Sequence, residues 1–130
     1  MSYTGTCNCE SIRITLPHQP SNTVLCYCTG CKKVGGREYI LICSANYFVD
    51  ECHITIDDRK GTLREYHDTK SRSGNAIRRF CSGCGSAIVT ITPMSPGKAY
   101  LKASLFEPIS APGKEVFAEK KPDWMTTTLV

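Results

Sequence analysis

The sequence is poor in the features that mark membrane, secreted or nucleic-acid-binding proteins. No stretch approaches the roughly 20 apolar residues that a membrane span requires. The start, MSYTGTCNCESIRITL, has no basic leader, apolar run or small-residue cleavage site, so we predict that it is not a signal peptide. Basic residues exceed acidic ones only slightly, at 16 Lys and Arg against 12 Asp and Glu, and they are scattered. This balance is compatible with an acidic small molecule as partner and requires neither nucleic acid nor a membrane.

Sustained helical patterns, internal repeats and low-complexity segments are also missing. Short strand-like runs are present instead, each bounded by Gly, Pro, Ser, Asn or Asp. In SIRITL the apolar residues Ile12, Ile14 and Leu16 alternate with polar ones and fall on one face of a strand. The other runs are EYILICSANYFV, CHITID, TLREY, NAIRRF, SAIVTI, AYLKA and the beginning of EVFAEKKPDWMTTTLV. With TGCKKV as the best helical turn, we predict one all-β domain with little helix over residues 1–130, its core at about 5–124.

Cysteine, in contrast, is abundant, with nine in 130 residues. An odd count prevents complete intramolecular pairing, and the expected absence of a signal peptide indicates a reducing compartment. The cysteines are therefore predicted to be metal ligands rather than disulfides, in a protein of the cytoplasm or, as an alternative, the nucleus.

Seven of the cysteines belong to three short motifs. On a strand, the two cysteines of a C-x-C point to the same face, whereas a C-x-x-C turns so that both sulfurs converge on one ion at about 2.3 Å. A glycine directly after the last motif, Gly85, can adopt the positive φ that lets such a turn close. The motifs are Cys7-Asn8-Cys9, Cys26-Tyr27-Cys28-Thr29-Gly30-Cys31 and Cys81-Ser82-Gly83-Cys84.

The number of ligands suggests two different zinc sites. A closed structural zinc takes four cysteines, and three ligands with an open position are the pattern of a catalytic zinc. Spacing alone does not decide which motifs combine. The locally complete triplet Cys26, Cys28 and Cys31 is the natural candidate for the three-ligand site. The structural site would then be closed by the two remaining pairs, Cys7, Cys9, Cys81 and Cys84.

Other arrangements of the same residues stay open at this point. Two structural sites are possible if a histidine, with His53 beside Cys52 as the candidate, completes the second one. A redox role for Cys81 and Cys84 is disfavoured because a redox C-x-x-C is expected near a βαβ pattern. Cys43 is predicted to be a buried small apolar residue. The same is predicted for Cys52, with a free surface thiol as the alternative.

Together these motifs resemble a known family. The segments TGTCNCESIRITL, CYCTGCKKVGG, RRFCSGCGSAI, AYLKASLFEP and EVFAEKKPDW, in this order, are similar to the glutathione-dependent formaldehyde-activating enzymes, a family that includes centromere protein V. The resemblance extends from Gly5 to Trp124. The chain departs from many members in having Tyr27 where they have histidine.

The resemblance implies a fold, two metal sites and an activity. The fold is a β-tent of small antiparallel sheets pinned by zinc. The implied structural zinc is held by Cys7, Cys9, Cys81 and Cys84, and a second zinc, regarded in the family as catalytic, by Cys26, Cys28 and Cys31. The implied reaction is carbon–sulfur chemistry that joins glutathione and formaldehyde to S-hydroxymethylglutathione. On this basis the open position of the second zinc takes water at rest and a substrate atom in action.

Residues near the triplet are the candidates for substrate binding. Glutathione carries two carboxylates, so Lys32, Lys33 and Arg37, with Arg78–Arg79 before the last motif, are candidate partners, the alternative being solvated surface charges. Tyr27 either orients a substrate or packs beneath the metal, and Trp124 is predicted to cap the core.

Two other functions stay open: a non-catalytic zinc module that binds a protein or nucleic acid, and a lyase or isomerase acting on a larger carbon substrate.

Overall fold

The structure is a computed structural model that describes residues 2–35, 43–71 and 74–130. Within these ranges the chain forms ten strands, one short helix and three 3-10 turns. The strands are β1 (Tyr3–Thr6), β2 (Arg13–Leu16), β3 (Thr23–Cys26), β4 (Ser44–Asp50), β5 (Thr55–Asp57), β6 (Leu63–Asp68), β7 (Ala76–Cys81), β8 (Ala87–Ile91), β9 (Lys98–Lys102) and β10 (Pro112–Val116). The helix is α1 (Thr29–Gly35), and the 3-10 turns are Glu51–His53, Ala103–Leu105 and Ala118–Lys120. No helix in the described ranges has the length and apolar character that crossing a membrane demands. The prediction of an all-β fold with little helix is confirmed.

The strands are arranged in two sheets. A three-stranded sheet has the order β1-β2-β5, and a seven-stranded sheet has the order β10-β3-β4-β9-β8-β7-β6. Paired strands are antiparallel except for β10 and β3, which run parallel. The sequence patterns do not predict β1, β3 or this parallel pairing.

The apolar core includes side chains of both sheets. Ile12, Ile14 and Leu16 are all buried, as the alternation in SIRITL predicts. Tyr3 stacks on Phe106 with a ring-centroid distance of 4.5 Å, in the same cluster. Burying a large apolar side chain stabilises a fold by roughly 1.5–3 kcal/mol, so this cluster is the main link between the sheets apart from the cysteines.

The seven-stranded sheet also has a second, polar face. Val89 of β8 and Leu101 of β9 are paired in register and belong to the apolar core. Side chains alternate along strands, so Arg78, Thr90 and Lys102 lie on the opposite face. They are nevertheless only 4–5% exposed. Helix α1 packs against this face, where it contacts β4 and Arg78. The sheet is therefore covered on both sides here.

Two sequence predictions about single residues are wrong. Cys52 is exposed because it lies in the 3-10 turn Glu51–His53, which has no buried residue. Trp124 is 73% exposed and does not cap the core, since the neighbouring Met125 packs there instead, against the buried cluster that includes Cys43. The burial of Cys43 itself is confirmed.

Candidate metal centres

Four cysteines from two distant motifs come together where the two sheets meet. Cys7 follows β1, Cys9 lies in the next turn, Cys81 ends β7 and Cys84 lies in the turn before β8. All four sulfurs are within 4.8 Å of one another, and the Cys7–Cys9 and Cys9–Cys81 sulfur distances are both 3.7 Å. A tetrahedral zinc with Zn–S bonds of about 2.3 Å has sulfurs about 3.8 Å apart. The donor set therefore fits zinc, and an ion here would connect the two sheets.

Hydroxyl groups favour the ionised form of this cluster. Burial opposes ionisation of Cys81, but hydrogen bonding to Ser11 and Thr62, whose Oγ atoms lie 3.4 and 3.5 Å from its sulfur, lowers the Cys81 pKa to about 5. Ser86 is 3.2 Å from the Cys84 sulfur and lowers the pKa of that thiol in the same way, against the effect of burial. Metal ligation needs thiolates, so these contacts support ion binding.

The turn that carries the last motif has the conformation expected of it. Gly85 has a φ of +77°, and its N–H donates to the Cys81 carbonyl at 2.7 Å. A residue with a Cβ would be strained there, so glycine lets the turn close and brings Cys81 and Cys84 together.

The triplet, Cys26, Cys28 and Cys31, forms a second and deeper cluster. Cys26 ends β3, Cys28 directly precedes α1, and Cys31 lies in the first turn of α1. Their sulfurs are within 4.8 Å of one another, and the residues are only 6–8% exposed. Contact with Cys28 and Cys31 raises the pKa of Cys26, whereas contact with Cys26 and Cys28 lowers that of Cys31. Ionisation of Cys26 is therefore linked to ionisation of Cys31.

Neither cluster, as far as the described residues go, includes a histidine. His53, the candidate for a fourth ligand, is about half-exposed and lies 3.8 Å from Asp50. The arrangement with a Cys₃His structural site is therefore not supported.

Two buried cations accompany the triplet. Lys102 donates to Asn46 Oδ1 at 3.0 Å, and its charged neighbours are Arg78 and the three thiols. Burial lowers the pKa of Lys102, and the thiols act in the opposite direction. Arg78 Nε donates to Asp68 Oδ2 at 2.9 Å, so this pair is neutral overall.

The charges of these groups match a metal-bound triplet. Three thiolates around Zn²⁺ carry a net charge of minus one, which the ammonium of Lys102 balances. A buried ammonium without such a partner would be strongly disfavoured. The residues present therefore fit zinc at this site.

A small cavity lies beside the triplet. Its volume is about 40 Å³, and its lining includes the three cysteines with Arg78, Thr90, Thr92 and Lys102. A much larger groove, of about 1050 Å³, runs along β1 and the four-cysteine cluster. Lys102 lines both spaces. The larger of these two spaces is thus beside the four-cysteine cluster, and the smaller one adjoins the triplet, which lacks a fourth cysteine.

Tyr27 is packed in the interior. It is fully buried, and its hydroxyl donates to the carboxylate of Glu115. Burial and this hydrogen bond raise the pKa of Tyr27 to about 12. Its hydroxyl is thus occupied by Glu115, and a role in substrate binding stays a prediction.

The lysines of the second motif have mixed positions. Lys32 Nζ donates to the carbonyl of Lys120 at 2.6 Å, which ties α1 to the C-terminal segment. Lys33 is exposed. Arg37 lies outside the described residues. Substrate binding by these residues therefore stays a prediction.

Two buried cations beside the triplet come from β7 and β9. Arg78 and its neighbour Arg79 point to opposite faces: Arg79 pairs with Glu65 at 3.4 Å, and Arg78 faces the triplet. Lys102 and Thr90 were not predicted from the sequence. The alternation in AYLKA separates Lys102 from Leu101, but such a pattern ordinarily indicates a solvated face. The alternation in AYLKA thus places Lys102 on the polar face of the strand. Because such a face is ordinarily solvated, the sequence did not predict that Lys102 is buried.

Fold and site together define an all-β protein with two cysteine clusters suited to metal ions. A family model described as glutathione-dependent formaldehyde-activating enzyme matches residues 2–123. Because this is nearly the whole chain, the protein belongs to that family.

Two individual proteins are similar to this chain. One, from Halomonas elongata, carries the provisional name glutathione-dependent formaldehyde-activating enzyme. It is 29% identical over an alignment of 132 positions, which covers 96% of this chain and 80% of that protein. A crystal structure of a Rhodobacter sphaeroides protein has a TM-score of 0.62 at 18% identity and covers 82% of this chain and 90% of its own. The second likeness concerns the fold alone.

Proposed function

We propose that this protein is a zinc-dependent carbon–sulfur lyase of one domain. It would join a small thiol of the glutathione type to a small carbonyl electrophile and split the adduct in the reverse direction. The observation that carries the proposal is the triplet: three buried cysteine sulfurs lie within 4.8 Å of one another, and the three cysteines line a cavity. The family match supports a thiol of this type.

The two clusters would have separate roles. Cys7, Cys9, Cys81 and Cys84 would hold a structural zinc with no open position, and Cys26, Cys28 and Cys31 would hold a second zinc that can accept a substrate atom. Zinc bound there would lower the pKa of a coordinated thiol, so that a substrate would be bound as the nucleophilic thiolate at neutral pH.

The chain's own residues would prepare the site for that thiolate. Lys102 and Arg78 are buried next to the triplet, where a positive charge acts with little screening. They would hold the cysteines in their ionised form and offset the additional negative charge of the substrate sulfur. The groove that shares Lys102 with the cavity would accommodate the rest of the thiol substrate.

The orientation of these cations favours an enzyme over a zinc module that binds a macromolecule. A binding module would present its basic residues on the surface. Arg78 and Lys102 instead point towards the cavity, and each is only 4% exposed.

Native mass spectrometry with and without glutathione tests the proposal. We expect two zinc ions per chain and one glutathione adduct on the zinc-loaded protein. Cys28→Ala should lose one zinc and the adduct, whereas Cys52→Ser, the control at an exposed cysteine outside both clusters, should keep them. Protein without zinc, or with iron in its place, would contradict the metal assignment, and two zinc ions without an adduct would contradict the thiol substrate.

A further inference from the structure

Three buried polar atoms have no hydrogen-bond partner in the described part of the chain: Arg78 Nη1, Thr90 Oγ1 and Thr92 Oγ1. Their residues are only 4%, 5% and 7% exposed, so bulk water does not replace the missing partners. Leaving a buried donor or acceptor unsatisfied costs about 1–3 kcal/mol, and folded proteins contain few such groups. Three of them therefore require an explanation.

The three atoms belong to residues that line one space. Arg78, Thr90 and Thr92 all line the cavity of about 40 Å³ beside the triplet. The sheet explains why they meet: Arg78 of β7 is directly opposite Thr90 of β8, and Thr92 is two residues further along, on the same face. The three unsatisfied groups thus lie beside the cysteines of the triplet, where the proposed reaction would take place.

The chemistry of these groups selects the ligand. A guanidinium nitrogen only donates, and threonine hydroxyls can donate, so together they favour an acceptor oxygen. Asp68 already neutralises Arg78, so the site does not require an anion. The cavity, of about 40 Å³, is small, which favours a ligand of few atoms.

We infer that Arg78, Thr90 and Thr92 bind the carbonyl oxygen of a one-carbon aldehyde and stabilise the oxyanion that develops on it. This inference rests on the proposed function and identifies the residues that receive the electrophile. In the step, the sulfur lone pair of the substrate thiolate forms the new carbon–sulfur bond, and the π pair of the carbonyl moves onto its oxygen. That oxygen then takes up one proton, equivalent to the proton that the thiol released, and the product is a hydroxymethyl thioether. The reverse reaction moves the same electron pairs back.

An ordered water could also satisfy these three atoms. Substitutions at Thr90, with a matched control elsewhere, distinguish a bound water from a bound aldehyde. Thr90→Val keeps the shape of the side chain and removes the hydroxyl, whereas Thr90→Ser keeps the hydroxyl. Thr23→Val is the matched control, since Thr23 is equally buried but its hydroxyl donates to the Ser110 carbonyl at 3.2 Å. Rates of adduct formation from glutathione and formaldehyde, measured by exchange NMR on zinc-loaded protein, give kcat and KM for the aldehyde. Thermal unfolding and zinc content are measured on the same samples.

We expect Thr90→Val to lower kcat about tenfold, with the KM for formaldehyde nearly unchanged, because the lost donor acts mainly on the developing oxyanion. Its thermal stability should be equal to or above that of the wild type, since the hydroxyl it removes has no partner. Thr90→Ser, which retains the hydroxyl, should recover most of the kcat that Thr90→Val loses, and Thr23→Val should lose stability but keep kcat. Thr92→Val should repeat the behaviour of Thr90→Val.

Other outcomes separate this inference from the proposed function. A wild-type protein that does not accelerate the reaction contradicts the proposed function and the inference with it. An active wild type with unchanged kcat in Thr90→Val and Thr92→Val contradicts the inference alone. If these variants also unfold at lower temperature, the occupant is a structural water. Equal kcat for formaldehyde and acetaldehyde in the wild type would also overturn the inference, because a cavity of about 40 Å³ favours the smaller aldehyde.

Discussion

The α-carbon of Gly30 lies directly against the guanidinium of Arg78. A Cβ atom built on Gly30 would be 2.4 Å from Arg78 Nη2 and 3.2 Å from Asp68 Oδ2. The first distance is far below a normal contact, so any side chain at position 30 would displace the buried ion pair. The absence of a side chain at this position lets α1, and with it two cysteines of the triplet, approach β7.

Gly30→Ala should therefore disturb the site beside the triplet. We expect it to lower the free energy of unfolding by about 1–3 kcal/mol, as overpacking does elsewhere, and to weaken zinc binding at the triplet. The matched control is Gly83→Ala, because Gly83 has the same place in its own C-x-G-C motif. A Cβ there would be 3.5 Å from Cys9 Sγ, an ordinary contact. Thermal unfolding and zinc content of both variants check this, and an equal effect of the two substitutions would contradict the proposed role of Gly30.

Loss of one cysteine should have very different effects at the two clusters. Cys84→Ala should give unfolded or insoluble protein, because that cluster connects the two sheets and structural zinc typically contributes about 10–16 kcal/mol of binding free energy to folding. Cys28→Ala should stay folded with one zinc and lose thiol binding, since the triplet closes only a local turn. Zinc content and thermal unfolding of the two variants, compared directly, measure this difference. If Cys28→Ala unfolds as severely as Cys84→Ala, the triplet is structural and the proposed enzyme loses its main support.

Graded chelation of the wild type should remove the zinc of the triplet before the zinc of the four-cysteine cluster. The triplet has a position open to exchange, so its zinc should be removed before the fold is lost. Zinc release followed together with circular dichroism would show a first release without unfolding. Simultaneous release of both ions with loss of structure would contradict this order.

Cys52 should be the one cysteine that reacts in the native, zinc-loaded protein. It is exposed and lies outside both clusters, whereas Cys43 is buried and metal binding would protect the others. Mass spectrometry after brief alkylation should find one adduct, which Cys52→Ser abolishes with unchanged zinc content. Denaturation with a chelator should expose all nine thiols. Loss of zinc in Cys52→Ser would show that this cysteine is a ligand.

Glu115 should make the stability depend on pH. Its carboxylate accepts hydrogen bonds from Lys121, Tyr27 and Thr127, and these, with Lys121 as the largest cause, lower its pKa from 4.5 to about 2. A lowered pKa in the folded state means stabilisation that is complete above about pH 4.5 and is lost as the pH falls towards 2. Glu115→Gln should therefore cost about 2 kcal/mol at neutral pH, and this difference from the wild type should shrink on acidification. Unfolding across this range with excess zinc checks it, with exposed Glu51→Gln as a control, and a difference that does not change with pH would contradict the prediction.

Much of the local structure follows from the sequence. The alternation in SIRITL predicts the buried face of β2, and the spacing of each cysteine motif predicts that its sulfurs converge. Both follow from geometry within a few residues, because the pleat of a strand or the closure of one turn depends on neighbouring residues only. The exposure of Cys52 and Trp124 could not be predicted this way. Apolar character indicates burial only where another element covers the residue.

The sequence by itself determined the all-β class, the three cysteine motifs and the family to which the chain belongs. Tertiary structure decided that Cys9 and Cys81, 72 residues apart, bring their sulfurs to 3.7 Å, and that Arg78 and Lys102 face inwards beside the triplet. The physical reason is that strand order and register act over long separations. An alternating strand such as AYLKA has a polar face whether or not another element covers it. Here α1 covers that face, and side chains that the sequence suggests are solvated become the buried surroundings of the site.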